Sequence, residues 1–219
     1  MTKNQPITLF YSPQTRATGA RVLLEELNVP YELHVLNMKA GEQRQPAYLA
    51  INPLGKVPAV RVGDTLVTEQ AAIYLYLADL FAEAGLAPAF DDPDRGAYVR
   101  WLFIAGSCFE PAVVDRYLKR EPASLNDTPY ASYESLIDML ENALTPGPYL
   151  LGERFSAADL LWGIALHWTT MFGLVEARPA FQAYMERLNN RASIQKVSAE
   201  DAAMVAEHEA AVQQSLKAG

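Results

Sequence analysis

The stretch Asn52-Pro53-Leu54-Gly55-Lys56-Val57-Pro58-Ala59-Val60, continued by Arg61-Val62-Gly63-Asp64-Thr65-Leu66-Val67-Thr68-Glu69-Gln70, constrains this chain more than any other. A glycine-containing loop enters a proline directly before a short apolar run, and Gly63-Asp64 turns that run into a second one. Proline carries no N–H and would remove a ladder bond from a strand, so Pro58 needs a reason. A cis Val57–Pro58 bond in a tight turn supplies one, with the Val57 N–H and C=O left to pair with something outside the sheet. Thr68 and Glu69 then open an Ala-rich helical pattern whose unpaired N–H groups favour a carboxylate. Two features suited to docking a small molecule thus stand about ten residues apart. A plain hairpin and helix start with a structural proline accounts for the same residues.

Upstream, Ile7-Thr-Leu-Phe-Tyr11 is a short β-prone run halted by Ser12-Pro13. From about Thr15 to Leu27 the pattern is helical, with Val22, Leu23 and Leu27 expected on a buried side and Arg21, Glu25 and Glu26 more exposed. Asn28-Val29-Pro30 ends that helix, and Tyr31 to Leu36 reads as a second strand. This is a β-α-β unit with its first two strands parallel. Met38 to Ile51 reads as loop with one or two helical turns. Ala71 to Ala82 reads as a helix with Ile73, Leu77 and Leu80 as its core stripe.

Gly85 to Pro93 holds a glycine, prolines and aspartates close together, the composition of a linker. Strand signals almost vanish beyond it. Asp94 to about Leu118 is expected as one long helix bent or split by Pro111, followed by helices over Pro129–Leu144, Leu160–Met171, Pro179–Leu188 and Glu200–Leu216. Ser156-Ala-Ala-Asp159 resembles a capping box ahead of the third of these. The expected division is an α/β domain over residues 1–84, a linker over 85–93 and an all-helical domain over 94–219.

A net charge of −8 without a basic run argues against nucleic acid or an anionic membrane face as partner. No apolar segment approaches the ~20 residues of a spanning helix. The start, Met1-Thr-Lys-Asn-Gln-Pro-Ile, lacks the apolar core of a secretory signal. The one cysteine, Cys108, excludes an internal disulfide and a Cys-x-x-Cys pair. His34, His167 and His208 show no metal-ligand spacing, and no phosphate-binding glycine loop or dinucleotide fingerprint is present. A cytoplasmic enzyme fits this composition, as does any acidic soluble protein.

The run Asn52-Pro-x-Gly-Lys-Val-Pro58, the Gly63-Asp64 turn and Thr68-Glu69 ahead of an apolar helix resemble the N-terminal domain of cytosolic glutathione transferases. Phe155-Ser-Ala-Ala-Asp-Leu160 is similar to the helix-capping segment of that family's helical domain. The resemblance covers essentially the whole chain. It implies a thioredoxin-like, glutathione-binding domain followed by an all-helical domain that contributes the wall of the acceptor site. It further implies a homodimer, no covalently bound cofactor, and glutathione as co-substrate.

Glutathione brings two carboxylates, an ammonium, two peptide groups and a thiol. On the resemblance, Glu69 meets the ammonium and the Gln70 N–H meets the γ-glutamyl carboxylate. Val57, ahead of Pro58, pairs with the cysteinyl backbone, and Lys56 meets the glycyl carboxylate. Each also has a structural reading: Glu69 favours any helix N-terminus, and Lys56 could be a solvated turn lysine. Tyr11-Ser12-Pro13-Gln14-Thr15-Arg16 occupies the place of the thiol-activating group. It is similar to the Tyr-Ser-Pro-x-x-Cys opening of bacterial beta-class enzymes, with Arg16 where the cysteine would stand. Read against the Pro-x-Ser-Arg-Ser openings of other bacterial members, the serine position carries Thr15. Thr15 is the first choice as hydroxyl donor to the thiolate, Ser12 the second, and Arg16 an electrostatic helper. Equally, Ser12 could satisfy turn backbone, Thr15 could cap the first helix, and Arg16 could face water. Trp101, Ile104, Cys108 and Phe109 are the expected contacts for a small apolar electrophile. The expected reaction is transfer of the glutathione thiolate to that electrophile; the alternatives are another glutathione-dependent lyase, dehalogenase or peroxidase, or a non-catalytic glutathione-binding module.

Overall fold

The computed structural model describes residues 5–121 and 123–218 of the chain. Met1 to Asn4, the first part of the start read above for a secretory signal, lie outside the described residues. The chain forms two compact units, one running to Phe81 and including the stretch from Arg191 onward, the other spanning Ala82–Asn190.

The first unit is thioredoxin-like. Its strands are β1 (Ile7–Tyr11), β2 (Glu32–Val35), β3 (Ala59–Val62) and β4 (Thr65–Thr68), in the order β2-β1-β3-β4. β1 and β2 run parallel, as a β-α-β crossover requires, while β3 is antiparallel to both β1 and β4. Gly63 closes the β3–β4 hairpin at φ +55, a left-handed backbone that glycine adopts without a Cβ penalty. Helix α1 (Ala17–Glu26) crosses between β1 and β2, the single turn α2 (Pro46–Leu49) lies in the following connection, and α3 (Gln70–Leu80) leaves β4 and packs on α1. Leu9, Val22, Leu23, Val60, Ile73 and Leu77 are buried in this unit's core, while Leu80, expected among them, is only half-buried.

The second unit contains α4 (Arg95–Ile104), α5 (Glu110–Tyr117), α6 (Tyr133–Leu144), α7 (Ala157–Met171) and α8 (Pro179–Asn189). The long helix expected across Pro111 is split. Ala105–Phe109 widen into a π-helical turn between α4 and α5. Proline has no N–H to give the carbonyl of Ser107, one turn back, and its ring crowds that carbonyl; a wider turn accommodates both. α6 starts at Tyr133 rather than Pro129 because Ser132 takes the capping place, its Oγ accepting the Ser135 N–H at 3.0 Å.

The capping segment at α7 has the expected form. The Asp159 carboxylate accepts the Ser156 N–H at 2.8 Å and the Leu150 N–H at 2.9 Å, together with the hydroxyls of Ser156 and Tyr184, each at 2.9 Å. Trp162, one turn on, is fully buried, and its Nε1 donates to the Trp101 carbonyl at 2.9 Å.

The last helix, α9 (Ala192–Ala218), begins earlier than Glu200 and belongs to the first unit, where it packs on α1. Its start is tied down by Arg191, whose guanidinium makes two bonds of 2.7 Å to the Glu26 carboxylate. This docking corrects the expected exposure of Arg21. Arg21 is only 4% exposed, because α9 brings Glu200 and Asp201 against it on one side and the Tyr11 ring lies 5.4 Å away on another.

Candidate functional site

The register of the sheet gathers the chemistry-bearing residues at one end of it. Phe10 pairs with Ala59, and Ala59 pairs with Thr68. Two residues beyond each of these positions, away from the sheet, stand Ser12, Val57 and Gln70. Three distant stretches therefore meet at one edge of the first unit.

The Val57–Pro58 peptide bond is cis. Val57 itself is buried, and among the described residues neither its N–H nor its carbonyl has a hydrogen-bond partner. The loop before it turns at Gly55, φ +59, and is held by side-chain bonds to its backbone. The Lys56 carbonyl accepts the Tyr48 hydroxyl at 2.6 Å and the Asn52 side-chain amide at 2.9 Å, while Asn52 Oδ1 accepts the Leu54 N–H at 3.1 Å. Asn52 is thus a positioning residue that sequence reasoning passed over; its signal was an asparagine opening a turn. The Lys56 side chain is exposed.

Glu69 precedes α3 at φ +69 and ψ 128, a conformation costing a non-glycine residue about 1–3 kcal/mol. No side chain caps α3, which leaves its first N–H groups open to an anion. The Gln70 side chain turns back across the site, its Nε2 donating to the Arg16 carbonyl at 3.1 Å.

In the turn after β1, Thr15 Oγ1 donates to the Ser12 carbonyl at 2.7 Å and accepts the Ala17 N–H at 3.1 Å. A hydroxyl has one proton to give, and in this arrangement Thr15 gives it to backbone. Ser12 is buried, and its hydroxyl has no hydrogen-bond partner among the described residues. The Arg16 side chain is exposed at the start of α1. Tyr11, at the end of β1, is fully buried and gives its proton to Asp201. Burial first, and the adjoining Asp201 carboxylate second, push its phenol far above the ordinary tyrosine range. Tyr11 is therefore a packing and anchoring residue.

The residues expected against the electrophile all lie in the second unit. Trp101 and Phe109 are buried in that unit's own core, their rings 5.7 Å and 4.9 Å from the ring of Trp162. Ile104 and Cys108 are half-buried at the π turn, with Cys108 Sγ 3.2 Å from the Pro129 carbonyl. Phe103, near them on α4, is 51% exposed. A short apolar-rich helix offers no way to tell which of these faces inward until α7 is packed against it. Among the described residues no group of three His, Cys, Asp or Glu is placed to hold a metal ion, and no helix is long and apolar enough to cross a membrane.

Comparison with known proteins agrees with this geometry. The N-terminal domain of glutathione S-transferases matches residues 5–79, and the C-terminal domain of the same family matches residues 130–187. Glutathione S-transferase F13 of Arabidopsis thaliana is 30% identical over 205 residues, covering 86% of this chain and 94% of that protein. Glutathione S-transferase GstA of Escherichia coli O157:H7 is 28% identical over 190 residues, covering 85% and 94%. Among solved structures, a sphingomonad glutathione S-transferase complexed with glutathione superimposes with a TM-score of 0.73 at 28% identity, covering 89% of this chain and 98% of that one. A Sulfitobacter glutathione transferase homologue with bound glutathione gives 0.72 at 28% identity, covering 89% and 97%. With both domains of the family matched and relatives aligned over most of its length, the chain belongs to the cytosolic glutathione S-transferase superfamily.

Proposed function

We propose that this protein is a glutathione transferase that joins the glutathione sulfur to a small apolar electrophile. The observation that carries the reading is the coincidence, at one end of one sheet, of an unpaired Val57 backbone and an uncapped α3 behind Glu69. An extended peptide with an anionic end fits that pair of features. Val57 pairs with the cysteinyl backbone beside Pro58. The Gln70 N–H receives the γ-glutamyl carboxylate, Glu69 the ammonium, and Lys56 the glycyl carboxylate. The reading is that of a bacterial member whose opening is similar to the beta class, with Arg16 in place of its cysteine, acting in the cytoplasm as a homodimer without nucleic-acid or membrane partners.

Thiol activation falls to the turn after β1. Ser12 brings a hydroxyl without a partner, Arg16 brings positive charge, and Thr15 holds the turn through its bond to Ser12. The thiol proton leaves to solvent. The sulfur then forms a C–S bond with the electrophilic carbon, and the leaving group departs with the electron pair. The electrophile contacts are assigned to the π turn of the second unit, at Ile104 and Cys108, with Trp101 and Phe109 supporting that turn from the core.

Titration of bound glutathione by thiolate absorbance tests this reading. The thiol is expected one to two units below the ordinary value of about 8.5, each unit corresponding to about 1.4 kcal/mol. Conjugation of a nitro-activated aryl chloride is expected to follow the same titration. Binding with an unshifted thiol and no conjugation would instead mean a glutathione-binding module. Light scattering is expected to give about twice the 24.2 kDa chain mass; a single-chain mass would remove the homodimer.

A further inference from the structure

The turn that carries Ser12, Thr15 and Arg16 is held by a residue almost at the other end of the chain. Asp201 of α9 is 2% exposed. Its Oδ2 accepts the Gln14 N–H at 3.0 Å and the Thr18 hydroxyl at 2.7 Å. Its Oδ1 accepts the Tyr11 hydroxyl and lies 3.7 Å from the Arg21 guanidinium. Gln14 sits at φ +52, a left-handed conformation unfavourable for a residue with a Cβ. The bond from its N–H to Asp201 holds Gln14 there, together with the Thr15 bond to the Ser12 carbonyl that spans it. Its relaxation would move the Ser12 carbonyl away from Thr15 and the hydroxyl of Ser12 with it.

We propose that Asp201 is a positioning residue for thiol activation, acting through Gln14 and Thr18 to hold Ser12, Thr15 and Arg16 in the arrangement that meets the glutathione sulfur. The inference rests on the glutathione-transfer reading above. Asp201 acts by geometry and not by charge. A carboxylate near a thiolate opposes it, and here the guanidinium of Arg21 stands against that charge. The docking of α9 on α1 thereby becomes part of the activating apparatus, although α9 carries none of the groups assigned to sulfur.

Two variants separate geometry from charge. Asp201→Asn, with its oxygen in the place of Oδ2, keeps an acceptor for the Gln14 N–H and the Thr18 hydroxyl, and its amide donates to the Tyr11 hydroxyl, whose oxygen also accepts. Asp201→Ala removes every bond. Both remove the charge and leave Arg21 in the same position, so their difference reports the hydrogen bonds. Asp201→Ala is expected to raise the thiol pKa of bound glutathione by about one unit and to lower kcat/KM about tenfold, mainly in kcat. Asp201→Asn is expected to stay within about threefold of the unmodified protein. Thr18→Val, which removes one donor and no charge, is expected to lie between them and serves if Asp201→Ala does not fold. Glu26→Gln loosens α9 at Arg191, far from the turn, and is expected to lower stability with the thiol titration unchanged.

The unmodified protein is titrated first. A thiol unshifted there overturns the glutathione-transfer reading itself. A shifted thiol in the unmodified protein, with Asp201→Ala and Thr18→Val both titrating as it does, overturns the role of Asp201 alone. So does an equal loss in Asp201→Asn and Asp201→Ala, or a thiol shift in Glu26→Gln.

Discussion

Gln70 Nε2 donates to the carbonyl of Arg16 at 3.1 Å, joining the start of α3 to the start of α1. The bond links the stretch assigned to the γ-glutamyl group with the turn assigned to the thiol. Gln70→Ala keeps the backbone N–H proposed to hold the carboxylate and loses only this tie. A neutral hydrogen bond contributes about 0.5–1.5 kcal/mol. Calorimetric titration is therefore expected to show glutathione affinity reduced about three- to tenfold, and an unchanged Kd would detach the Gln70 side chain from the site.

The hydroxyl that meets sulfur can be identified by paired substitutions. Thr15 already gives its proton to the Ser12 carbonyl, whereas the Ser12 hydroxyl has no partner among the described residues. Ser12→Ala is expected to raise the thiol pKa of bound glutathione by about one unit, since a hydrogen bond to a charged group contributes roughly 1.5–3 kcal/mol. Thr15→Val is expected to shift it less while lowering stability by about 1 kcal/mol through the lost bonds to the Ser12 carbonyl and the Ala17 N–H. The reverse order would return the role to Thr15. Arg16→Gln is expected to raise the same pKa by a few tenths of a unit, the modest effect of an exposed charge.

Glu26 sets an acid limit on the docking of α9. Burial alone would push its carboxyl up, but the bonds from Arg191 and Ser193 outweigh burial and hold it below the usual carboxylate range. A group whose folded pKa is depressed contributes stability above its unfolded value, near 4.3, and loses it as pH falls through the folded value. Glu26→Gln is expected to lower Tm at pH 7, corresponding to about 1–3 kcal/mol. Scanning calorimetry should then find the gap from the unmodified protein closing as pH falls below about 5. A gap constant across that range would place the stabilisation elsewhere.

Asp159 anchors the second unit from within. It is fully buried and accepts from two backbone N–H groups and two hydroxyls. Asp159→Ala would leave these donors unpaired, each at about 1–3 kcal/mol before relaxation. The expected total is about 3–5 kcal/mol, or a fall in Tm on the order of 10 °C. Glutathione affinity in the folded fraction is expected to remain, because the proposed glutathione contacts belong to the first unit. A Tm within about 2 °C of the unmodified protein would show the donors finding other partners.

Much of this was legible from residue order because its causes are local. The parallel β-α-β unit, the hairpin at Gly63, the cis bond at Pro58 and the capping box at Ser156–Asp159 each depend on a few neighbouring residues. Periodicity, proline and caps report such causes directly. The superfamily could be named on these features, which together follow its pattern along the whole chain. What residue order left undecided are the pairings set when distant elements dock. Arg21 reads as exposed within its own helix, and it is buried by α9, carrying Glu200 and Asp201, together with Tyr11 of β1. Trp101 and Phe109 read as cleft candidates until Trp162 of α7 fills the space between them. Thr15 reads as a hydroxyl available to sulfur until the turn closes on the Ser12 carbonyl. A local signal specifies which conformation a stretch prefers, whereas a side chain's partner depends on what the rest of the chain brings to it. Asp201, 187 residues beyond Gln14, has no local signal at all, and its contacts exist only in the folded molecule.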